Sequence, residues 1–404
     1  MAPVPDHVPA ELVIPFDFRS DPRIRKDPWG LFHSVNELPE IFYSPDLGGH
    51  WVLGRAALLE EAWQRHDLFT TKSVSVPRID APFELIPLNL DPPEHRPYQQ
   101  IFMKRMFAPR IMDGLLESFR QLTRDTIEAF APLGEIDFAA AYAHPVPISI
   151  FLRMIGVPLE RRTAFTHSIE RVFRGTTSDE IKQGMFEVAG LLDGWLDAEL
   201  ADRHAPREAH MLEAILSAEI DGRLLSKHEI SRIATMLMLA GLDTTTAATL
   251  HTLAFVAGSP DHRQRLIDDP SLIPSAVEEL LRRFSIANVA RMAGSDFAFH
   301  GVDIKQGDMV LFSTPIAGLD ENRFENSLVV DFARPNVKAH TLAFGTGVHM
   351  CSGHNLARRE LRVTLEETLP RLRNLRLKPG ADIEYTSGGT VTISSTLPLV
   401  WDEG

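Results

Sequence analysis

The chain has 404 residues, of which 44% are hydrophobic and 24% are charged, and its formal net charge is −14 at pH 7. This profile is typical of a globular protein with a large core, and the acidic total argues against nonspecific nucleic-acid binding. A single cysteine excludes a disulfide within the chain and fits a reducing cytoplasm. We expect neither a signal peptide nor a membrane span, because the N-terminus is proline-rich and no apolar run is long enough.

The first part of the chain predicts an extended segment, a strand pair and two helices. Residues 1–20 are expected to be extended. IFYSPDLGGHWVLG, residues 41–54, predicts two short strands around a Gly-Gly turn, and RAALLEEAWQRH then predicts a helix. In LDPPEHRPYQQIFMKRMF, Asp91 is the expected N-cap of a helix, with prolines at its first positions and Glu94 completing a capping box.

Helical periodicity dominates the middle of the chain and predicts helices over residues 109–130, 159–173, 178–200, 226–258 and 274–284. Residues 289–313 alternate like strands, with a turn at 305–307. A helix is predicted from just after Cys351 to about Leu372, and residues 385–401 are again strand-like. The pattern predicts a mainly α protein with small β-sheets (α+β), with residues 1–404 forming a single domain.

The only cysteine, Cys351, lies in FGTGVHMCSGHNLARRE, residues 344–360. An isolated cysteine is usually a small buried hydrophobe. Here, however, glycines on both sides allow sharp turns, and the N-terminus of the following helix favours a thiolate over a thiol. Zinc needs more cysteine or histidine ligands than this segment offers, whereas the iron of a haem needs one protein ligand.

This segment resembles the haem-binding loop of the cytochrome P450 family, F-G-x-G-x-H-x-C-x-G followed by L-A-R. The matching residues are Phe344, Gly345, Gly347, His349, Cys351, Gly353, Leu356, Ala357 and Arg358. The resemblance implies that Cys351 is the proximal ligand of the iron of haem b, which would lie between the long central helix and the helix after Cys351. Ser352 departs from the apolar residue usual at its position, and its hydroxyl either hydrogen-bonds near the sulfur or faces away.

Glu279 and Arg282 in VEELLRRF lie three residues apart on one helix face. Taken alone, they would form a surface ion pair worth a few tenths of a kcal/mol. The resemblance implies instead the buried E-x-x-R pair of the family, joined by Arg334 in DFARPN. Its expected role is structural, behind the cysteine loop.

The predicted long helix contains the sequence MLAGLDTTTAATL. An acid such as Asp243 in an apolar helix is unfavourable unless it is paired or used, and Thr244 can hydrogen-bond back to the carbonyl of Ala240. Ala240, Gly241, Asp243 and Thr244 match the (A/G)-G-x-(D/E)-T motif of the family. The resemblance implies a groove that receives O₂ and an acid–alcohol pair that delivers protons during O₂ activation, with Arg174 as the partner of Asp243.

Haem propionates need cations or hydrogen-bond donors, and by resemblance these are His349, Arg291 and His95. His95 taken alone would more often be a surface helix residue. Gln99 stands where the family usually has an arginine, so we expect that propionate contact to be weaker or differently made.

The resemblance also implies a substrate pocket formed by Phe83, Ile86, Met236, Leu239, Ala240, Ala287, Val289 and Val391. An apolar lining is typical of a small-ligand pocket, although each residue alone is equally consistent with ordinary core. The resemblance is strongest to the bacterial camphor hydroxylase subgroup, in which a tyrosine at the place of Phe83 holds the substrate ketone. We therefore expect a compact terpenoid or norisoprenoid rather than camphor.

The sequence has no flavin domain and no glycine-rich dinucleotide motif, so electrons must come from separate proteins. In the subgroup these are a 2Fe–2S ferredoxin and its reductase. Basic residues available to an acidic ferredoxin are Lys104, Arg105, Arg110, Arg358, Arg359 and Arg362, although solvated helix faces explain them equally well.

Together these observations predict a soluble, cytoplasmic, monomeric haem–thiolate monooxygenase. It would insert one oxygen atom of O₂ into a C–H bond of a small apolar substrate and reduce the other to water. The alternatives are a non-catalytic haem sensor and a peroxygenase that uses peroxide. The Asp243–Thr244 pair argues against both, because neither needs it.

Overall fold

The structure, a computed structural model, describes residues 2–175, 177–203, 210–387 and 390–402, without the side chains of residues 109, 110 and 210. Within these ranges the α-helices are α1 Pro28–His33, α2 Ala56–Gln64, α3 His95–Ile101, α4 Pro109–Phe130, α5 Pro145–Ile155, α6 Arg162–Arg174, α7 Ser178–Ala201, α8 His210–Leu216, α9 Lys227–Gly258, α10 Pro260–Asp268, α11 Ile273–Arg283, α12 Thr314–Gly318, α13 Val337–His340 and α14 His354–Arg371.

The strands in the same ranges are short. They are β1 Ile41–Ser44, β2 His50–Leu53, β3 Phe69–Thr70, β4 Glu135–Asp137, β5 Glu219–Ile220, β6 Arg223–Leu224, β7 Asn288–Ala293, β8 Phe297–Phe299, β9 Val302–Ile304, β10 Met309–Ser313, β11 Arg376–Leu377, β12 Tyr385–Ser387, β13 Thr392–Ser394 and β14 Pro398–Val400. The largest sheet has the order β1-β2-β10-β7-β3, and the others have two or three strands. In this sheet β10 pairs antiparallel with β7, so that Val310 lies opposite Arg291.

The hydrophobic core consists of two clusters. The larger one surrounds α9 and includes residues of four other helices: Ile127, Leu152, Leu192 and Leu365. The smaller one covers the five-stranded sheet and includes Phe32, Phe42, Leu59 and Leu311. Phe284 packs against both clusters, although the single-domain organisation itself stays a prediction.

The central helix, α9, begins at a capping box in which the Ser226 hydroxyl accepts from the Glu229 backbone and the Glu229 carboxylate accepts from the Ser226 backbone. By length and composition α9 could cross a membrane, but 67% of its most apolar window is buried inside the protein. The apolar side chains of α9 therefore pack in the hydrophobic core.

The observed elements confirm most of the sequence predictions, including mainly α architecture, the β1–β2 hairpin and the ends of α4, α9 and α14 to within a few residues. The predicted N-cap at Asp91 is wrong. The helix begins at His95, and the Asp91 carboxylate instead accepts hydrogen bonds from the backbone and hydroxyl of Thr71, at 3.1 and 3.0 Å. Sequence analysis also missed α5, whose prolines and β-branched residues disfavour a helix on propensity alone.

Candidate functional site

A cavity of about 520 Å³ lies between the cysteine loop, α9, α3 and β7. Eleven residues predicted to contact a cofactor line it, namely His95, Gln99, Ala240, Gly241, Arg291, Phe344, Gly345, His349, Cys351, Gly353 and Ala357. The structure therefore brings together residues that are as much as 262 positions apart in the sequence, from His95 to Ala357.

The cysteine loop requires glycine where it passes Trp63. Gly345 and Gly347 have φ values of +64° and +72°, and a Cβ on Gly347 would lie 2.5 Å from the carbonyl oxygen of Trp63. The loop is closed by a hydrogen bond from the Cys351 backbone N–H to the Phe344 carbonyl oxygen at 3.0 Å. A side chain at either glycine would strain this turn and move Cys351.

Cys351 is accessible from the cavity, while its sulfur is enclosed by protein on the other sides. Burial raises the pKa of the Cys351 thiol, and the N–H groups of Gly353 and His354 together with the charge of Arg358 act to lower it. The helix N-terminus thus acts in the predicted direction, but burial is the larger effect. A metal cation at the sulfur reverses this balance, because a coordinating thiol is deprotonated outright.

Arg358 does not belong to a basic surface, so that prediction is wrong for this residue. Its Nε donates to Glu278 Oε1 at 2.8 Å in a buried ion pair. Its guanidinium also lies 4.4 Å from the ring centre of Phe344. Arg358 therefore fixes the start of α14 from inside the protein.

Three basic side chains converge on one edge of the cavity. The rings of His95 and His349 lie 4.3 Å apart between centroids, and Arg291 is close enough for its charge to lower the pKa of His349, although burial lowers that pKa more. Burial lowers the pKa of His95 to about 4 and that of Arg291 to about 10. Within the described residues, His95 Nδ1 and His349 Nε2 are buried without a hydrogen-bond partner. Such an edge suits an anionic ligand group.

Asp91 lies behind this edge, with its Oδ1 3.6 Å from His349 Nε2. Burial acts to raise the pKa of Asp91, but His349 and Thr71 outweigh it and lower that pKa. An ionised Asp91 favours the protonated form of His349 and so opposes part of the burial effect there.

The two departures from the family pattern both line the cavity. Gln99 Nε2 donates to the Val348 carbonyl oxygen at 2.7 Å, so this amide supports the cysteine loop from α3. The weaker or differently made propionate contact expected at Gln99 stays a prediction. Ser352 also faces the cavity, beside Cys351.

The cavity face of α9 carries the predicted hydroxyl. Thr244 Oγ1 donates to the Ala240 carbonyl oxygen at 2.7 Å, as the sequence predicts. The helix continues through this turn. A Cβ on Gly241 would approach no closer than 3.6 Å to Phe151, so glycine leaves space here rather than relieving a clash.

Asp243, next to Thr244, is partly buried. Burial raises its pKa to about 6, whereas the charge of Arg174 lowers it and that of Glu170 raises it. Arg174 lies 3.7 Å from Glu170, and among the described residues it forms no ion pair with Asp243. Arg174 is thus an electrostatic neighbour of Asp243 rather than its direct partner.

The E-x-x-R pair is buried. Arg282 and Glu279 form a 2.7 Å ion pair with side-chain exposures of 0% and 1%. Arg334 joins it, with Nε 3.1 Å from Glu279 Oε1. Arg282 Nη1 donates to the carbonyl oxygens of Gly318 and Ser327 at 2.7 and 2.8 Å, and Nη2 donates to that of Val329 at 3.2 Å. The surface interpretation of this pair is therefore wrong, and the buried one is correct.

Most of the predicted substrate residues reach the cavity, and they are Met236, Leu239, Ala240, Ala287, Val289 and Val391. Phe83 and Ile86 do not, which corrects their assignment. Ile86 is 6% exposed and packs into the larger core cluster. The Phe83 ring instead lies under the guanidinium of Arg232, 3.8 Å from its centre, and meets Phe186 edge-on at 5.8 Å.

Sequence analysis missed a second group of cavity residues, contributed by α5 and α14. Phe151 and Met154 come from the unpredicted α5, and Glu360 lies two turns into α14. Burial alone raises the pKa of Glu360 to about 8. The spacing of Gly353, Ala357 and Glu360, at i, i+4 and i+7, indicates the shared helix face.

These features fit a flat, mostly apolar macrocycle with carboxylates on one edge and iron at its centre. Cys351 provides one soft ligand, and the remaining wall is largely apolar. Beside Arg291, the ring nitrogens His95 Nδ1 and His349 Nε2 have no hydrogen-bond partner among the described residues. Haem b has this combination of properties, and the residues present fit it.

Comparison with known proteins agrees with this site. The sequence profile of the family "Cytochrome P450" matches residues 165–398. "Probable cytochrome P450 127A1" of Sinorhizobium fredii is 31% identical over 410 residues, covering 99% of this chain and 97% of that protein. The crystal structure of cytochrome P450 CYP101C1 superposes with a TM-score of 0.90 at 29% identity, covering 99% of this chain and 100% of that one. CYP101J2 superposes with the same score and identity over 100% of both chains. The chain therefore belongs to the cytochrome P450 family of haem-thiolate oxidoreductases.

Proposed function

We propose that this cytochrome P450 hydroxylates a compact apolar substrate, a terpenoid or norisoprenoid, held in the cavity beside Thr244. The observation that supports this most is the Thr244–Ala240 hydrogen bond on the cavity face of α9, with a carboxyl of raised pKa at the neighbouring Asp243. A gas sensor has no use for a proton-donating pair at this position, and a peroxide-using enzyme receives its protons with its oxidant. Both alternatives are therefore less well supported.

The roles of the cavity residues follow from their chemistry. Cys351 would hold the iron, and His95, Arg291 and His349 would hold the propionates. When bound, haem b supplies a thiolate-ligated iron that activates O₂. Asp243 would accept protons from solvent and pass them inward, and the Thr244 hydroxyl would orient the last transfer. Met236, Leu239 and Val391 would hold the substrate and exclude water.

We propose a 2Fe–2S ferredoxin with its reductase as the electron source, docking over α3 and the segment that follows it. Met103, Lys104 and Arg105 lie together there, and Met103 is 41% exposed.

Lys104 and Arg105 share a surface pocket with Glu219 and Asp221, and Arg359 pairs with Asp113 at 2.6 Å. The Arg110 side chain lies outside the described part of the chain, and Arg362 is only partly exposed. These acids reduce the positive charge of the proposed docking surface, so the apolar contact at Met103 becomes more important for docking.

A charge placed at Met103 tests this docking face. Met103→Glu should raise the ferredoxin concentration needed for half-maximal turnover by about tenfold, as expected for a central interface residue. Leu133→Glu is the control, because Leu133 is 60% exposed and lies beyond α4. Equal kinetics in the two variants would place the docking face elsewhere.

The proposed reaction is tested by isotope labelling. The purified holoenzyme should first show, after reduction and addition of CO, the Soret band of a thiolate-ligated haem. Incubation with ferredoxin, reductase, NADH and β-ionone under ¹⁸O₂ should then give a product that contains one ¹⁸O atom. A product formed only when hydrogen peroxide is added would favour the peroxygenase alternative, and ligand binding without any product would favour a sensor.

We also propose that the protein is a soluble cytoplasmic monomer. The burial of α9 within the core supports a soluble protein. Light scattering coupled to gel filtration should give a mass near 45.2 kDa plus one haem. A mass of twice that value would show a dimer.

A further inference from the structure

The C-terminal end of α6 places a cation and an anion near Asp243 of α9. Arg174 is the last residue of α6, and Glu170 lies one turn before it. Val172 and Phe173, between the two, line the cavity. Burial has the largest effect on the pKa of Asp243 and raises it, while Arg174 lowers this pKa and Glu170 raises it further. The two side chains of α6 therefore act on the same carboxyl in opposite directions.

Arg174 pairs with Glu170 and not with Asp243. Arg174 Nη1 lies 3.7 Å from Glu170 Oε1, and the two side chains are 41% and 45% exposed. Asp243 is partly buried, and in the described part of the chain it forms no ion pair with Arg174. The guanidinium is thus held in contact with water, near the buried carboxyl but not against it.

Two carboxylates compete for this guanidinium. An ionised Asp243 attracts it, but a direct pair would take the guanidinium out of water. Glu170 offers an ion pair at the surface, where the guanidinium stays hydrated. Because exposed pairs are weak, Arg174 is held loosely, and the loss of one charge is enough to change which carboxylate it faces.

We propose that Glu170 is a positioning residue, which competes with Asp243 for Arg174 and so keeps the Asp243 carboxyl free to take up and release protons. This inference rests on the proposed function, because it concerns the proton delivery assigned to Asp243. Without the charge of Glu170, Arg174 pairs with Asp243 and favours its ionised form. An acid that stays ionised delivers protons slowly.

Titratable groups also lie on neighbouring elements. His144 precedes α5, and Glu360 faces the cavity from α14. Burial lowers the pKa of His144 most, Arg174 lowers it further and Glu170 raises it, so His144 is mainly neutral at pH 7. Among the described residues, however, the charges that act on Asp243 are those of Arg174 and Glu170. The α6 pair is therefore the group to vary.

The experiment measures the pKa of Asp243 from the infrared band of its protonated carboxyl in the ferric holoenzyme, after subtraction of the Asp243→Asn spectrum. Glu170→Gln should lower this pKa by about one pH unit or more, because the substitution removes an anion near Asp243 and releases a cation. Glu170→Asp keeps the charge and should retain most of the wild-type value. In turnover, the break expected near pH 6 should move to about pH 5 in Glu170→Gln.

Two comparisons separate the positioning of Arg174 from a general effect of charge. In an Arg174→Gln background, Glu170→Gln should shift the pKa of Asp243 less than about half as much, because no guanidinium remains to be released. Glu187→Gln is the matched control. Glu187 pairs with Arg171, also on α6, at 2.6 Å, and its loss should leave the pKa of Asp243 unchanged.

Three results would overturn the inference: an unchanged pKa in Glu170→Gln, an equal shift in Glu187→Gln, or a Glu170→Gln shift that is as large without Arg174 as with it. Glu170 is 45% exposed, so these variants should fold, and a normal haem content checks this. The infrared titration uses no electrons, O₂ or substrate. Its failure is therefore distinct from a failure of the labelling experiment with β-ionone.

Discussion

The Thr244 hydroxyl donates to the Ala240 carbonyl oxygen at 2.7 Å within an uninterrupted turn of α9. A hydroxyl has one hydrogen to donate and two lone pairs that accept. Because this hydrogen is donated along the helix, the two lone pairs remain free to accept a hydrogen bond. The donor would be a water molecule or the protonated carboxyl of Asp243. This geometry leaves the Thr244 hydroxyl oxygen able to accept a hydrogen bond from a proton-bearing group in the cavity.

The first prediction concerns this hydroxyl. Thr244→Ala should bind haem and substrate normally, but the amount of product per NADH should fall about tenfold or more while hydrogen peroxide rises, because proton delivery loses its last oriented group. The measurement compares NADH consumed, product and peroxide in the same reaction.

Two variants control this comparison. Thr244→Ser keeps a hydroxyl and should couple nearly as well as the wild type. Thr246→Val removes a hydroxyl that donates to the Ala143 carbonyl oxygen at 2.9 Å, so it should cost about 1 kcal/mol of stability and leave coupling unchanged. Full coupling in Thr244→Ala would refute the assigned role.

The second prediction concerns the neighbouring acid. Burial raises the pKa of Asp243 to about 6, so both of its protonation states are populated between about pH 5 and pH 7, as a relay requires. Asp243→Asn should slow turnover about 100-fold without changing the affinity for substrate, and the break near pH 6 in the wild-type turnover profile should disappear. Asp243→Glu keeps a titrating group and should retain part of the rate. An unchanged pH profile in Asp243→Asn would assign proton delivery to another group.

The sequence was sufficient where a local pattern determines the chemistry. The loop around Cys351 and the Thr244–Ala240 hydrogen bond depend on residues close together in the chain, and the structure has both. The Glu279–Arg282 pair was also predictable from its spacing, but its burial was not, because burial depends on strands and loops far away in sequence. Resemblance to the family supplied that step.

The sequence was insufficient where long-range packing determines the direction of a side chain. Phe83 is apolar and precedes residues that line the cavity, yet its ring turns to Arg232, 149 positions away in the chain. Arg358 follows Cys351 closely and carries a charge, yet it pairs with buried Glu278. Charge and hydropathy are properties of the residue, whereas its partner is a property of the fold.

The third prediction concerns the buried E-x-x-R network. Glu279→Gln leaves the cations Arg282 and Arg334 without their shared carboxylate. Breaking a buried ion pair on one side typically costs about 3–5 kcal/mol, so this variant should show low haem content and a strongly reduced unfolding temperature. The unfolding temperature by circular dichroism and the haem absorbance per protein measure both effects.

Glu366 provides the matched control for this network. It pairs with Arg120 at 2.6 Å, but their side chains are 36% and 29% exposed, and exposed pairs contribute about 0–1 kcal/mol. Glu366→Gln should therefore behave nearly as the wild type. If the two variants were equally stable, the network would not hold the core behind the cysteine loop.

The fourth prediction concerns Glu360, which is 5% exposed and faces the cavity. Burial raises the pKa of its carboxyl from 4.5 to about 8. At pH 7 the group is therefore protonated in the folded protein and ionised in the unfolded chain. The folded state binds the additional proton, so stability decreases as pH rises from about 4.5 to about 8.

Glu360→Gln removes this penalty while keeping the shape of the side chain. The variant should resemble the wild type at pH 4.5 and exceed its unfolding free energy by about 3 kcal/mol at pH 7, since each unit of pKa shift corresponds to about 1.4 kcal/mol.

Glu367, on the same helix, tests the sign of the effect. Burial acts to raise the pKa of Glu367, but Arg124 and Arg120 outweigh it and lower that pKa, so Glu367→Gln should destabilise the protein more at pH 7 than at low pH. Thermal unfolding of the three proteins at pH 4.5, 6 and 8 measures these differences. A Glu360→Gln effect that does not change with pH would mean that the carboxyl has a charged or hydrogen-bonded partner in the holoenzyme.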